Sequence, residues 1–383
     1  MTLRRHRGSI VAAAILVLGA GTGTTVAAAS SGSGKDGLNS SKYEIGLFGD
    51  MPYGSAGRQQ YPAVIADMNE HKLTFSIFDG DIKNGSEPCY ADYDGSAQSA
   101  GRPDVYQYAL DRFAQQVNPV VYLPGDNEWT DCDRASITPR FDSLDRLEHL
   151  RQVSYGYDPT TGSSSPYSLG QRTIRLQRQS DVDPQLVDPR GYRYVENVRW
   201  TFGPVTYVGL NVPGSDNNWI DTPIDGQEPT KDGDSVEAQA EYAARNAANL
   251  QWLRESFAAA DRAGSKAVMV VLQADMFGDN PSTGVGTTAD PTAHFADTKA
   301  ELARQAIAFG GQVVLVNGDS HYLTIDKPLT DKNGNTIENV TRVMTFGSGQ
   351  SHWVSAVVDP SDPNVFQFVQ HVVPANEPAY VAP

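Results

Sequence analysis

At 383 residues and 39% hydrophobic content the chain can bury a full core, which excludes disorder as its main state. A formal charge of −16, from 46 acids against 30 lysines and arginines, disfavours nonspecific binding to nucleic acid or anionic lipid. Most of this acidity reads as solvated surface.

In chain order, residues 1–29 combine a basic start (Arg4, Arg5, Arg7), an apolar run at 10–18 and the small residues Ala27, Ala28 and Ala29, the pattern of a cleavable export signal. Arg4-Arg5 lacks the usual flanks of a twin-arginine signal, so the general secretory route is expected. A Ser/Gly-rich linker at 30–41 leads into one domain at 42–383. No later apolar stretch approaches the roughly 20 residues of a membrane span. The mature protein is therefore expected outside the cytoplasm, with no membrane span and a charge of about −19 once the leader arginines are gone. Cys89 and Cys132 both fall in the exported part, where a disulfide persists; a bridge is expected, with two free buried thiols as the alternative.

Apolar runs of strand length then alternate with helical patterns, which predicts α/β architecture. YEIGLFGD ends at Asp50, a helix is expected around 61–70, and LTFSIFDGD ends at Asp81. A helix at about 105–117 precedes PVVYLPGD, ending at Asp126. An irregular stretch at 155–189 leads to two strands joined by a Phe-Gly-Pro turn, after which Asn211 and GSDNNW at 214–219 read as a pocket rim or simply as turns. An acidic loop at 225–234 precedes a helix from about Val236 to Ala263. KAVMVVLQAD ends near Gln273 and Asp275, QVVLVNGDSH ends at Asp319 and His321, and three further β-strands close the chain. Ligands of α/β sheets bind outside the carboxyl ends of strands, so acids recurring at those ends suggest one shared site. Four carboxylates, Asp50, Asp81, Asp126 and Asp319, carry the charge that two divalent cations offset, and such a pair suits phosphoester hydrolysis.

These segments resemble the calcineurin-like metallophosphoesterases, whose motifs GDxH, GDxxxxG, GNH[DE], a lone His and GHxH run in that order. GDMPY at 49–53, GDIKNG at 80–85, GDNE at 125–128, LQAD at 272–275 and GDSH at 318–321 stand in the same order, in the manner of a divergent exported bacterial branch. The resemblance implies a four-layer α/β/β/α sandwich with mixed sheets. It implies one metal held by Asp50, Asp81 and His321 and a second by Asp81, Asp126, Gln273 and Asp319.

The departures are specific. Pro52 replaces a ligand histidine, Asp126 an asparagine, Gln273 the lone histidine and Asp319 another histidine. Asn127 occupies the proton donor's position, which leaves Asn127 and His321 at the catalytic positions, with Glu128 and His352 as other candidate donors. This oxygen-rich set favours Mg or Mn over Zn or Fe, and a missing general acid favours phosphoanhydrides or activated esters. Lys83 reads as a phosphate contact or as a counter-charge to Asp81, Arg134 as a phosphate clamp or a surface ion pair, and His352-Trp353 as a pocket cover or a packed aromatic. The family alignment also brings the loops of Cys89 and Cys132 together, where a bridge would brace the site. The implied function is a secreted phosphoesterase acting on a phosphorylated small molecule. The competing readings are a catalytically degenerate descendant binding a phosphorylated ligand, a metal or a protein, and a purely structural surface module; the oligomeric state is left open.

Overall fold

A computed structural model describes residues 41–91, 104–134, 136–219, 235–278 and 293–377. The export signal, the linker up to residue 40 and the acidic loop at 225–234 lie outside the described residues. The chain runs through β1 (Tyr43–Phe48), α1 (Gly54–Glu70), β2 (Ser76–Phe78), α2 (Val105–Phe113), β3 (Val120–Tyr122), α3 (Ser143–Tyr155), β4 (Gln177–Arg178), α4 (Gln179–Val182), β5 (Val198–Phe202) and β6 (Val205–Gly209). It continues through α5 (Gly214–Asn217), α6 (Ser235–Ala263), β7 (Ala267–Val271), α7 (Ala296–Phe309), β8 (Gln312–Asn317), β9 (Thr324–Asp326), β10 (Val340–Met344), β11 (Trp353–Val358) and β12 (Phe366–His371).

Two mixed sheets result. The first has the order β12-β11-β1-β2-β3, with β1, β2 and β3 parallel and the other two pairings antiparallel. The second has the order β4-β5-β6-β7-β8-β10-β9, parallel from β6 to β10 and antiparallel at both margins. The Phe202-Gly203-Pro204 turn joins β5 to β6 as the sequence predicts.

Side chains alternate across a strand, and here both phases are apolar. Ile45, Leu47, Val354 and Ala356 pack against Tyr207, Met269, Val314 and Val316 in one buried cluster between the sheets. The opposite phase, Phe48, Phe78 and Trp353, packs against Tyr61, Val64 and Met68 of α1, Tyr106 and Phe113 of α2 and Leu150 of α3. Val208, Val268, Val270 and Leu315 meet Trp252, Leu253 and Phe257 of α6 and Leu302 of α7. Burial on both faces is why these strands read as continuous apolar runs, and each such Val, Leu or Phe contributes about 1.5–3 kcal/mol.

The helix bounds differ from expectation in two places. The helix expected around residues 61–70 begins at Gly54, with Pro62 inside it. Its early turns are tied down from outside, by Arg58 to Glu87 at 2.7 Å and by Ser351 Oγ donating to Gln60 Oε1 at 2.8 Å, which offsets the backbone bond that proline cannot make. α2 stops at Phe113 rather than 117, short of Asn118-Pro119, where a proline drives the preceding residue into extended backbone.

Candidate metal centre

Asp50 follows β1, Asp81 follows β2, Asp126 follows β3, Gln273 follows β7, and Asp319 and His321 follow β8. Hydrogen bonds knit these strand ends into one place. The Asp319 backbone N–H donates to Asp50 Oδ2 at 3.0 Å, and Gln273 Nε2 lies 3.3 Å from Asp81 Oδ2 and 3.2 Å from Asp126 Oδ1. Glycines leave the room: a Cβ on Gly125 would fall 2.0 Å from Asp81 Oδ1, and one on Gly318 would fall 2.1 Å from Asp50 Oδ2. The Gly-Asp pairs of the sequence thus have a steric cause.

Asp50, Asp81 and His321 each offer a donor atom, and the three atoms lie within 4.8 Å of one another. His321 Nε2 is 3.2 Å from Asp50 Oδ1. Both aspartates are buried, while the His321 side chain is 33% exposed and gives the group a side open to solvent. All three residues have left-handed backbone, with φ of 50, 66 and 68°, as does Asp319 at 74°. Non-glycine residues rarely adopt this conformation, and it concentrates where function holds a side chain in place. Asp81 is further fixed by the Tyr53 hydroxyl and Asn127 Nδ2, each donating to Oδ2 at 2.6 Å, and by Asn127 N donating to Oδ1 at 3.1 Å.

Asp126 and Asp319 sit beside this triad with partners of their own. Ser215 Oγ lies 2.7 Å from Asp126 Oδ2 and 2.6 Å from Asp131 Oδ1, and Asp275 N donates to Asp319 Oδ2 at 3.0 Å. Gln273 Oε1 accepts the Gly214 N–H at 2.5 Å, which turns its amide nitrogen toward Asp81 and Asp126. In that orientation Gln273 presents donors to the acids and keeps its oxygen for Gly214. Ser215 belongs to α5, a turn whose Ser215, Asp216 and Asn217, with Asn218 after them, all have φ between 46 and 60°.

Burial and mutual repulsion act together on the charges. Burial first, then Asp126, Asp50 and Glu128, hold Asp81 well above the usual carboxylate range. Burial and Asp126 do the same to Asp319, and burial and Asp50 to Asp79. Asp131 is pushed up to about 7 by burial and Asp126, against the pull of Arg134, Ser215 and Lys83. Burial opposes charge on His321, but Asp50 outweighs it and raises the imidazole above its ordinary value.

The donor set fits a divalent cation: two carboxylates and an imidazole converge, in a cluster short of positive charge, and oxygen predominates.

The other residues singled out from sequence fall into distinct places. Lys83 is fully buried, and Nζ donates to the Asn84 carbonyl at 3.0 Å. Burial lowers its pKa against the pull of Asp131, Glu128, Asp81 and Glu87. Arg134 pairs with Asp131 at 2.5 Å and keeps a side chain 43% exposed. Glu128 Oε1 accepts from Gly125 N, Tyr122 OH and Asp81 N, so it shapes the loops beneath the acids. Asn211 is inside rather than on a rim: its Nδ2 donates to Glu196 and its carbonyl accepts from Arg245 and Asn249. Trp353 is buried with Nε1 on Asp67, and His352 Nδ1 accepts the Val373 N–H, an arrangement of packed aromatics. Cys89 and Cys132 are joined by a disulfide, and Asn127 lies in the loop it closes.

Tyr53, Asp79, Asp131 and Ser215 are part of the site and were not singled out. Tyr53 closes the GDMPY segment, Asp79 precedes Asp81 in FDGD, Asp131 follows GDNE by three positions and Ser215 lies in GSDNNW, so each is inside or beside a recognised signal.

No protein-family model matches the sequence, and no curated protein matches it. Among solved structures, the chain overlaps GAP50, the anchor in the inner membrane complex of Plasmodium, at 10% identity over 86% of this chain and 89% of that one, with a TM-score of 0.41. It also overlaps the sulfate thiohydrolase SoxB of Thermus thermophilus in complex with glycerol, at 12% identity over 87% of this chain and 57% of that one, with a TM-score of 0.31. Neither overlap is close enough to carry an argument.

Proposed function

We propose that this chain is a secreted, cation-dependent phosphoester hydrolase with the four-layer α/β/β/α arrangement of the calcineurin-like metallophosphoesterases, formed by residues 42–383. The observation that carries it is the convergence of Asp50, Asp81 and His321 to within 4.8 Å, on left-handed backbone, where the two sheets meet. A bound cation supplies Lewis acidity to a phosphoryl oxygen and acidifies a water. Asp50, Asp81 and His321 would hold it, while Tyr53 and Asn127 hold Asp81.

Asn127 has no proton to transfer and already donates to Asp81 and Tyr53. Substrates are therefore those whose leaving group departs as a stable anion, phosphoanhydrides or aryl esters of small molecules. Arg134, paired with Asp131 and partly open to solvent, would be the cationic side chain that meets a phosphate oxygen. We assign a single cation rather than two, because Gln273 directs its amide nitrogen at Asp126 and Ser215 caps the same carboxylate. Mg or Mn suits the oxygen-rich set.

That same capping of Asp126 favours a second reading, a scaffold that binds a phosphorylated ligand without turnover. Hydrolysis of bis- and mono-p-nitrophenyl phosphate and of ATP, after chelation and with Mg, Mn, Ca or Zn restored, separates the two. Turnover restored by a metal and lost in Asp81→Asn supports the hydrolase; a folded protein inactive with every metal supports the binding scaffold.

A further inference from the structure

A second convergence of ligand-type side chains lies on the helix-covered face of the five-stranded sheet. Glu44 is the second residue of β1, His71 follows the last turn of α1, and His371 ends β12. The His371 ring stacks on Trp353 with centroids 3.8 Å apart and planes 7° from parallel, and Trp353 is itself held by Nε1 donating to Asp67 at 2.7 Å. His71 meets both rings edge-on, 5.0 Å from Trp353 and 4.6 Å from His371. Glu44 Oε1 lies 3.8 Å from His371 Nε2, and Ser355 Oγ lies 2.9 Å from that nitrogen. A cation on Nε2 would take that nitrogen's lone pair in place of its contact with Ser355, whose hydroxyl can rotate away.

One nitrogen from each imidazole and one Glu44 oxygen lie within 4.8 Å of one another. Bonds of about 2.1 Å at tetrahedral angles put ligand atoms roughly 3.4 Å apart. All three residues are partly buried and retain some exposure to solvent.

We propose that Glu44, His71 and His371 form a second, separate site for a late first-row divalent cation, of the zinc or copper class. Two imidazoles and one carboxylate are a nitrogen-rich set, which selects those ions over the magnesium or manganese suited to Asp50 and Asp81. The cation would join three segments far apart in sequence and fasten β12, the margin of its sheet, to β1 and α1. An edge strand is otherwise the least restrained part of a sheet.

The test uses the full chain carrying Asp81→Asn, which disables the acidic centre, titrated with Zn2+ by calorimetry and by equilibrium dialysis. One zinc equivalent is expected, with affinity reduced more than about tenfold in the added variant His371→Phe, which keeps a ring on Trp353 and removes both nitrogens. In the unaltered chain the first equivalent of Cu2+ is expected to give a paramagnetic resonance spectrum with coupling to two imidazole nitrogens, because the acidic centre offers one. Zinc bound equally with and without His371, no zinc bound by the folded Asp81→Asn chain, or copper coupled to a single nitrogen would overturn the assignment. His71→Gln gives the same comparison if His371→Phe does not fold.

Discussion

The Tyr53 hydroxyl donates to Asp81 Oδ2 at 2.6 Å, so a buried phenol restrains a buried acid of the candidate centre. The same oxygen is 3.3 Å from Asp50 Oδ1, and burial, then the neighbouring Asp81 and Asp50, hold Tyr53 well above its ordinary pKa. It therefore stays a donor. Tyr53→Phe is expected to lower the stability of the chelated protein by about 0.5–1.5 kcal/mol, the range for a hydrogen bond between neutral groups, since burial and neighbouring acids favour the protonated form of Asp81. Urea denaturation measures it, and an unchanged midpoint would mean that Asp81 does not depend on this bond.

Cation removal should be felt through pH. Asp79, Asp81 and Asp319 are all held above the ordinary carboxylate range, by burial first and by neighbouring acids second. Between the unfolded value of about 4 and the higher folded one, the folded chain binds more protons than the unfolded chain, so its stability falls as pH rises. Chelated protein should lose thermal stability from mild acid toward neutrality, and a divalent cation should flatten that slope. Melts at a series of pH values with and without chelator decide it; parallel slopes would remove Asp81 from the ion's coordination.

A pair of charges at a distance from the centre gives the opposite sign. Arg151 is buried, donates to both oxygens of Glu196 at 3.0 and 2.7 Å, and pairs with Asp188 at 2.5 Å. Burial pushes Glu196 up, but Arg151 outweighs it and leaves the carboxyl below its ordinary range. This contribution is complete above the unfolded glutamate value, about 4.3, and is lost as pH falls through the lower folded one. Arg151→Met should cost about 3–5 kcal/mol, since it strands Glu196 unpaired in the interior. Chemical denaturation near neutral pH reports the loss, and a cost under 1 kcal/mol would show that water reaches Glu196.

The Cys89–Cys132 bridge spans a sequence separation of 43 and closes the loop that carries Asp126 and Asn127. Closing a loop of that length restricts the unfolded chain by about 4 kcal/mol in the chain-entropy description. Replacing both cysteines by serine should lower stability by a few kcal/mol and weaken cation binding through Asn127's hold on Asp81. If only stability changes, the bridge serves the fold and not the centre.

The strands and their terminal acids were legible because both faces of each sheet are covered, so strands appear as unbroken apolar runs such as AVMVV, and because a Gly-Asp pair at a strand end makes room for a neighbouring carboxylate. Helix α7 was passed over although Leu302, Ala303 and Ala306 mark its buried side. Tyr53 and Ser215 were not legible as members of the centre. Their roles come from hydrogen bonds to residues 28 and 89 positions away, which no local pattern encodes. The hydrogen-bonded orientation of the Gln273 amide likewise depends on Gly214, 59 positions earlier.

Asp50 and Asp81 ride on the five-stranded sheet, whereas His321 rides on the seven-stranded one. The three donor atoms therefore act as a caliper laid across the sandwich, open or closed according to how far the sheets have slid or parted. An enlarged or shrunken side chain deep between them, at Leu47 or Val316, reaches the ion through the spacing of the jaws without touching any ligand. Affinity for a cation held there would become a readout of core packing, and substitutions in the core beneath the centre could retune it.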